Sequence, residues 1–370
     1  MNNLSATHIL FLIFLFFYGE DLHAQDTLQA TTLFHEDGKL KEKPVRIDFL
    51  DKSQNISHPY LEALHVYWLD SVSFEEGIPE LEELHGTPAE IRFRIRDQQI
   101  ELEPYTPEFY AIFAAYHTLY AINYYKRHFG DLVQFPKKSK YRELDLYLGD
   151  YINCNPEQYV LNPVKRVSPT VIYHEVGHRA FCQLDDTLAI GNTFNMVHNG
   201  LMEYFTTSMA GHPVIGEGML PERLTRDASR PVKYPEDKYY FDHFIEDLGE
   251  VVNKDMDCEE ATRRLYQLNM DRAERINKRI LMTHQTGMLI THPLWEIREE
   301  AGSKITDSLV VHAMKNLYSV AEKRDTALQD HDGTIEQEHP SWRDLLRALY
   351  QSDQELFGGR YKEIIRKVFR

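Results

Sequence analysis

The residues whose types and spacing most clearly suggest catalysis are His174-Glu175-Val176-Gly177-His178, an H-E-x-x-H motif. On a helix, residues four positions apart share one face, so His174 and His178 can bind a single zinc ion. Glu175, next to the first histidine, can then take a proton from a zinc-bound water as that water attacks a carbonyl carbon. The motif predicts metal-assisted hydrolysis with two histidine ligands and Glu175 as the general base.

A third ligand is expected because two histidines do not complete a zinc site. Glu203 is the candidate, since it lies on a predicted helix with a buried apolar stripe that ends at Gly211. A buried carboxylate is costly without a partner, and a metal ion is one such partner. The alternatives are a surface position for Glu203 at the edge of the stripe, or His198 as the ligand, from a short loop before the helix.

These segments resemble the gluzincin zinc metallopeptidases, in particular the thermolysin and fungalysin-like groups. The resemblance rests on the H-E-x-x-H motif, on G-L-M-E-Y-F-T-T-S around Glu203, and on the aromatic run ending in Y-Y-K-R-H-F-G, and it covers about residues 105–370. A metzincin is excluded, because Phe181 and Leu184 stand where that class has Gly and His. The resemblance implies Zn²⁺ as cofactor, a peptide or protein as substrate, and Glu203 as the third ligand.

The resemblance also implies that His284, in the segment H-Q-T-G, stabilises the oxyanion, with His292 as a second choice. One departure concerns the aspartate that normally follows the third ligand by four residues and orients a zinc histidine. Here Thr207 occupies that position; its hydroxyl could accept the bond, or another acid could substitute for it. The acids that could substitute are Asp185 and Asp186, and the candidates for the catalytic tyrosine are Tyr234, Tyr239 and Tyr240.

Periodicity predicts the elements that must position these residues. Residues 45–103 alternate as strands of an antiparallel sheet, Thr106-Pro107 begins a long helix that ends at Gly130, and 153–162 follow a strand as a substrate-binding edge. Ser168-Pro169 begins the motif helix. Further helices are expected over 259–282, 304–323, 341–350 and 361–369, with a polar break at 325–340. The expected fold is α+β and zincin-like, with the motif helix at the floor of a cleft between a strand-rich N-terminal lobe and a helical C-terminal lobe.

The predicted divisions are a signal peptide at 1–24, a strand-rich region at 25–104, a catalytic lobe at 105–235 and a helical lobe at 236–370. The apolar run at 9–18 is about half the ~20 residues of a membrane span, although Lys and Arg are missing before it. We therefore expect a secreted or periplasmic protein with no stable membrane span; the alternatives are an uncleaved anchor and a buried N-terminal segment.

The composition limits which ligands and which cysteine pairings can be expected. A net charge of −17 argues against nucleic acid as a ligand. Cys154, Cys182 and Cys258 allow one disulfide with a free thiol, or three thiols. The predicted function is a secreted zinc endopeptidase. The alternatives are a catalytically silent, zinc-containing extracellular binding protein, and a peptidase restricted to one partner or to its own precursor. In the last case residues 25–104 could act as a propeptide, although they fit a part of the catalytic sheet equally well.

Overall fold

The computed structural model describes residues 28–36, 39–51, 53–69, 85–130, 133, 143–148, 153–154, 158–161, 167–181, 196–217, 226–231, 273–328 and 342–369. The strands are β1 (Leu28–Glu36), β2 (Lys39–Ile47), β3 (Ala63–Leu69), β4 (Gly86–Pro88), β5 (Arg94–Arg96), β6 (Gln99–Glu101), β7 (Glu143–Leu148), β8 (Asn153–Cys154), β9 (Gln158–Leu161), β10 (Val214–Ile215) and β11 (Arg226–Asp227). The helices are α1 (Pro107–Phe129), α2 (Pro169–Phe181), α3 (Met196–Ala210), α4 (Ala273–Ala301), α5 (Ser303–Leu328), α6 (Trp342–Phe357) and α7 (Lys362–Val368).

The strands form mixed sheets, which corrects the expectation of one antiparallel sheet over residues 45–103. One sheet has the order β2-β1-β6-β5 and another the order β4-β3-β7-β9-β8, while β10 and β11 form a hairpin. β3 pairs in parallel with β7, and β7 in parallel with β9. The parallel pairing follows from the long connection between β3 and β7, which contains α1 and can therefore return the chain in the same direction. The predicted edge strand over 153–162 is two strands: β8 is an outer strand of its sheet, as predicted, whereas β9 lies inside the sheet between β7 and β8.

Helix α1 begins and ends where its capping residues predict. The Thr106 hydroxyl accepts a hydrogen bond from the Phe109 backbone N–H at 3.3 Å, and Pro107 occupies the first turn. Gly130 ends the helix with φ 58°, a left-handed value that a residue without Cβ adopts at little cost. The helix is largely buried, so its apolar side chains form the centre of the core and fix its position against the neighbouring helices.

Helices α2 and α3 carry the predicted site. α2 begins at Pro169, as expected, and α3 is followed by Gly211, which has φ 65° and ends the helix in the predicted place. The prediction that His198 precedes α3 in a loop is wrong, because the helix begins at Met196 and His198 lies in its first turn. Val197 is 3% exposed, so the buried face of the helix extends further toward the N-terminus than the apolar stripe indicated.

The C-terminal part is helical, as predicted, with longer helices than the periodicity gave. α5 continues to Leu328, into the expected polar break, and α6 continues to Phe357. The predicted helix over 259–282 is described from Ala273 onward. One hydrophobic cluster contains side chains from the N-terminal strands, from α1, α2 and α3, and from the C-terminal helices, so these elements share a core. The fold is therefore a mixed α+β arrangement of helices and small mixed sheets.

The predicted signal peptide at 1–24 lies outside the described residues. The predicted domain boundaries stay a prediction. Within the part of the chain that the structure covers, no helix has the length and apolar character needed to cross a bilayer.

Candidate metal centre

Helix α2 passes unusually close to α1 and α3 at Gly177, inside the motif. A Cβ atom at this position would lie 2.5 Å from the hydroxyl of Tyr125 and 2.8 Å from the sulfur of Met202. Atoms at these separations overlap, so a larger residue fits only if the side chain of Tyr125 or Met202, or the helices themselves, shift. The prediction that Gly177 marks close packing against another element is confirmed, and this packing sets the depth at which the two motif histidines lie.

His174 and His178 converge on the same side of α2. Their Nε2 atoms are 2.9 Å apart, and the ring planes are nearly perpendicular, at 86°. His174 is 2% exposed, whereas His178 is half-buried. Two nitrogens bound to one tetrahedral zinc at the usual bond length lie about 3.3 Å apart, so the observed separation is near the chelating one. The histidine pair therefore fits a shared metal ion.

Glu203 lies beside this pair, fully buried, and its two oxygens have different neighbours. Oε1 forms a 2.6 Å ion pair with Nη1 of Arg226, and Oε2 lies 3.6 Å from Nδ1 of His174. The surface position considered for Glu203 is therefore wrong. Its carboxylate faces the Nδ1 side of His174, however, and among the described residues no group of three or more His, Cys, Asp or Glu side chains is arranged as a metal site. The two histidines fit a metal, while Glu203, the predicted third ligand, lies beside them on the Nδ1 side of His174.

Arg226 is the residue of this site that sequence reasoning missed. It lies on β11, is only 9% exposed, and reaches Glu203 from the hairpin that follows α3. A buried carboxylate requires a compensating charge, so the apolar surroundings of Glu203 predicted that some cation would be near. Nothing local distinguishes Arg226 from the other arginines, because its role depends on the hairpin returning to α3.

The pKa of the Glu175 carboxyl is shifted by its surroundings, which include this ion pair. Burial raises the pKa of its carboxyl to about 8; the guanidinium of Arg226 acts in the opposite direction, and the charge of Glu203 adds to the rise. A displaced carboxyl pKa in a buried cluster of polar groups is typical of functional sites. The same environment would respond strongly to a cation, because a positive charge nearby favours the ionised carboxylate.

His198 approaches His178 from α3. Its Nε2 lies 3.1 Å from Nδ1 of His178, the two rings are nearly parallel at 30°, and His198 is 3% exposed. Burial, reinforced by the neighbouring His178, lowers the pKa of His198 well below its usual value. The contact is to the ring nitrogen that does not face His174. His198 therefore lies on the Nδ1 side of His178, as Glu203 lies on the Nδ1 side of His174, and this contact does not decide between the two as the third ligand.

Thr207 stands at the position of the expected aspartate, and its hydroxyl bonds within its own helix. It donates to the backbone carbonyl of Tyr204 at 2.8 Å, one turn earlier. A threonine inside a helix reaches its own preceding carbonyl easily, and the donated bond leaves the lone pairs of the hydroxyl oxygen able to accept another. The expectation that this hydroxyl accepts a bond from a zinc histidine therefore stays a prediction.

The proposed oxyanion histidines lie on α4, which packs tightly on α3. A Cβ at Gly200 would be 2.4 Å from Cβ of Ile290 and 2.6 Å from the carbonyl oxygen of Gly287, so the glycine permits close contact of the two helices. His284 lies three residues before Gly287, and its side chain is outside the described part. His292 bonds through Nδ1 to the carbonyl oxygen of Ala228 at 2.8 Å.

Several other candidates fall outside what the structure describes. They are the possible substitute acids Asp185 and Asp186, the tyrosines Tyr234, Tyr239 and Tyr240, the cysteines Cys182 and Cys258, and the side chain of Cys154. Their predicted roles stay predictions.

No protein-family model matches this sequence, and no curated protein matches it. The resemblance to the gluzincin peptidases therefore rests on the motifs themselves. The geometry around His174, His178 and Glu203 is the basis on which a function can be proposed.

Proposed function

We propose that this chain is a secreted, zinc-dependent endopeptidase of the gluzincin kind, with sheet and helices arranged around α2 as in a two-lobed zincin. The observation that carries the proposal is the convergence of the His174 and His178 Nε2 atoms, 2.9 Å apart, beside the buried carboxylate of Glu203. Two imidazoles and one carboxylate make up a catalytic zinc set that leaves a position open for water or substrate.

The ion pair with Arg226 is compatible with this role for Glu203. A carboxylate has two oxygens with separate lone pairs, so Arg226 can keep Oε1 while Oε2, now 3.6 Å from Nδ1 of His174, is the oxygen that would turn to the metal as third donor. The guanidinium also fixes the rotamer of Glu203 and compensates its charge inside the core. Arg226 thus favours a preformed site over one that must assemble from mobile side chains.

Zinc in such a site supplies a Lewis acid and lowers the pKa of water to near 7. Glu175, the neighbour of His174 on α2, takes the proton of the attacking water and returns it to the leaving amine. His284 on α4 donates a hydrogen bond to the oxyanion of the tetrahedral intermediate. The substrate is a peptide or protein chain, whose extended backbone pairs with the outer strand β8.

The setting of the enzyme is part of the same proposal. Residues 1–24 direct export to the periplasm or the exterior, where the chain meets unfolded or flexible proteins. The net charge of −17 makes nucleic acid an unsuitable partner, because both surfaces are negative. Selection among peptides then depends on the shape of the pocket rather than on overall charge.

The test is cleavage of an unfolded protein by the purified full chain, with and without a chelator, and after zinc is added back. Glu175→Gln, at matched zinc content, should lower the rate by about 10²–10⁴-fold, because the general base is lost while the ligands remain. Glu363→Gln is the matched control, since this glutamate is exposed on α7 and pairs with Arg366.

Three outcomes separate the hypotheses. Loss of cleavage with the chelator and in Glu175→Gln, but not in Glu363→Gln, supports the peptidase. Zinc binding at one equivalent without cleavage favours the catalytically silent extracellular binding protein. If no zinc binds, the site is not a metal centre and the proposal is wrong.

A further inference from the structure

His198 is a buried histidine at the candidate site that is not one of the three proposed zinc ligands. It lies on α3, five residues before Glu203, and its Nε2 is 3.1 Å from Nδ1 of His178. The two rings lie nearly parallel, with centroids 5.2 Å apart. A buried polar contact between two helices, at hydrogen-bond distance, fixes which nitrogen of each ring carries a proton.

The two nitrogens of His178 face different neighbours. Nε2 lies 2.9 Å from Nε2 of His174, and Nδ1 lies against His198. A histidine that binds a metal through one nitrogen donates the N–H of the other to an acceptor, and this bond holds the ring orientation and the tautomer. If His178 binds zinc through Nε2, its proton is on Nδ1, and the atom placed to accept it is Nε2 of His198.

We propose that His198 is the positioning residue of the metal centre: it accepts a hydrogen bond from Nδ1–H of His178 and so directs the Nε2 lone pair of His178 toward the metal. This inference rests on the proposed function, since it assumes that His178 is a ligand. Helix α3 then contributes twice, because Glu203 supplies the carboxylate and His198, one and a half turns earlier, orients a ring on α2. The role is the one that the expected aspartate would have had; Thr207, at that aspartate's position, donates to the Tyr204 carbonyl.

The competing role is His198 as a ligand in place of Glu203. The two roles respond differently to substitution. A glutamine places its side-chain oxygen near the position of a histidine Nε2 and can accept the bond from His178, so Gln should preserve a positioning role. Glutamine is a poor zinc donor compared with imidazole, so it should not preserve a ligand role. Phenylalanine keeps the flat ring and removes the acceptor in either case.

The experiment measures zinc affinity, by competition with a chromophoric chelator, for the full chain and for His198→Phe and His198→Gln. We expect a Kd about 10–100-fold higher for His198→Phe, the usual cost of losing such a partner, and a Kd within a few-fold of the unsubstituted chain for His198→Gln. His312→Phe is the control. His312 also bridges two helices, through a 3.1 Å bond to Ser352, and the partners of its ring lie on α5 and α6.

A second readout follows the proton directly. Nitrogen NMR of the zinc-loaded chain, labelled at histidine, should show the His178 proton on Nδ1 and hydrogen-bonded to a ring nitrogen. This measurement needs no substitution, so it decides the question even if His198→Phe does not fold. A His178 without a proton on Nδ1 would overturn the inference.

The affinities also separate the two proposals. If the unsubstituted chain binds no zinc, the proposed function fails, and the positioning role fails with it. If it binds zinc and His198→Phe binds equally well, only the positioning role fails. If His198→Gln is as weak as His198→Phe, His198 acts as a ligand and the positioning role is again wrong.

Discussion

Two buried polar clusters lie side by side on α3, and they are built in different ways. The first, the metal cluster, contains His174, His178, His198, Glu203 and Arg226. The second, the Asp307 network, contains Tyr124, Tyr204, Ser208, Arg298 and Asp307. Glu203 and Tyr204 are adjacent in sequence, so a single helix carries both clusters, with its side chains directed into each.

The Asp307 network is closed. Oδ1 of Asp307 accepts hydrogen bonds from the Tyr204 hydroxyl at 2.7 Å, the Ser208 hydroxyl at 2.7 Å and Nη1 of Arg298 at 2.9 Å. Tyr124 on α1 reaches Ser208 at 3.2 Å. Each donor therefore meets an acceptor, and four helices are tied together around one carboxylate. Such an arrangement stabilises a particular packing and leaves no reason for a ligand to enter.

The metal cluster instead brings like groups together. Nε2 of His174 and Nε2 of His178 face each other at 2.9 Å, and two acceptor nitrogens at that distance need a proton or a metal ion between them. The comparison teaches that burial of polar groups alone does not identify a site. What distinguishes the metal cluster is that the Nε2 atoms of its two histidines converge on each other, while the hydroxyls and the guanidinium of the Asp307 network converge on one carboxylate.

The largest effect that would separate the two clusters is expected on the stability of the protein when Asp307 is replaced. Asp307→Ala removes the acceptor of three bonds and leaves Arg298, 13% exposed, without its counter-charge. Loss of one partner of a buried ion pair costs about 3–5 kcal/mol, so the free energy of unfolding in urea should fall by that amount. The zinc Kd of the folded fraction should stay unchanged, because the network contains none of the predicted ligands.

The control for this substitution is Glu363→Ala, which breaks the exposed Glu363–Arg366 pair on α7 and should change the free energy of unfolding little. The comparison would be broken if Asp307→Ala left stability unchanged but weakened zinc binding. Asp307 would then belong to the metal centre rather than to a separate structural network.

A smaller effect is expected at Gly177, where the metal cluster depends on helix packing. Gly177→Ala introduces a Cβ that would lie 2.5 Å from the Tyr125 hydroxyl and 2.8 Å from the Met202 sulfur. Overpacking of a tight core typically costs about 1–3 kcal/mol, and the shift of α2 should weaken zinc binding as well. Thermal unfolding and zinc titration measure the two effects.

Tyr125→Phe in the Gly177→Ala background tests the cause, because it removes the oxygen that the new methyl group meets. The double variant should be more stable than the sum of the two single changes predicts. Strict additivity would show that the contact with Tyr125 does not limit the approach of α1 and α2.

The sequence predicted those parts of this molecule that depend on local chemistry. The limits of α1 followed from Thr106, Pro107 and Gly130, since caps act within one turn of the helix. The parallel pairing of β3 with β7 was missed, because partners in a sheet are chosen by long-range contacts that alternation within a strand does not encode.

The same division applies to the candidate site. The spacing of His174 and His178 is enough to bring their rings together on a helix, and the structure does so. Arg226 was not foreseen as part of the cluster, since its place depends on how a hairpin packs against α3. His198 was foreseen, but as a rival ligand from a loop. For His198 the error was local, because α3 begins earlier than its apolar stripe indicated.

The smallest effect is predicted at Thr207, and it bears on which group orients the zinc histidines. The hydroxyl of Thr207 donates to the Tyr204 carbonyl in its own helix, so Thr207→Val removes one internal bond and keeps the shape of the side chain. The free energy of unfolding should fall by about 0.5–1.5 kcal/mol, and the zinc Kd should not change. If Thr207 acted in place of the missing aspartate, the same substitution would weaken zinc by about 10–100-fold. Zinc competition with Thr207→Val and His198→Phe in parallel therefore assigns the role to one of the two residues, because only the true partner of the histidine can show the larger loss.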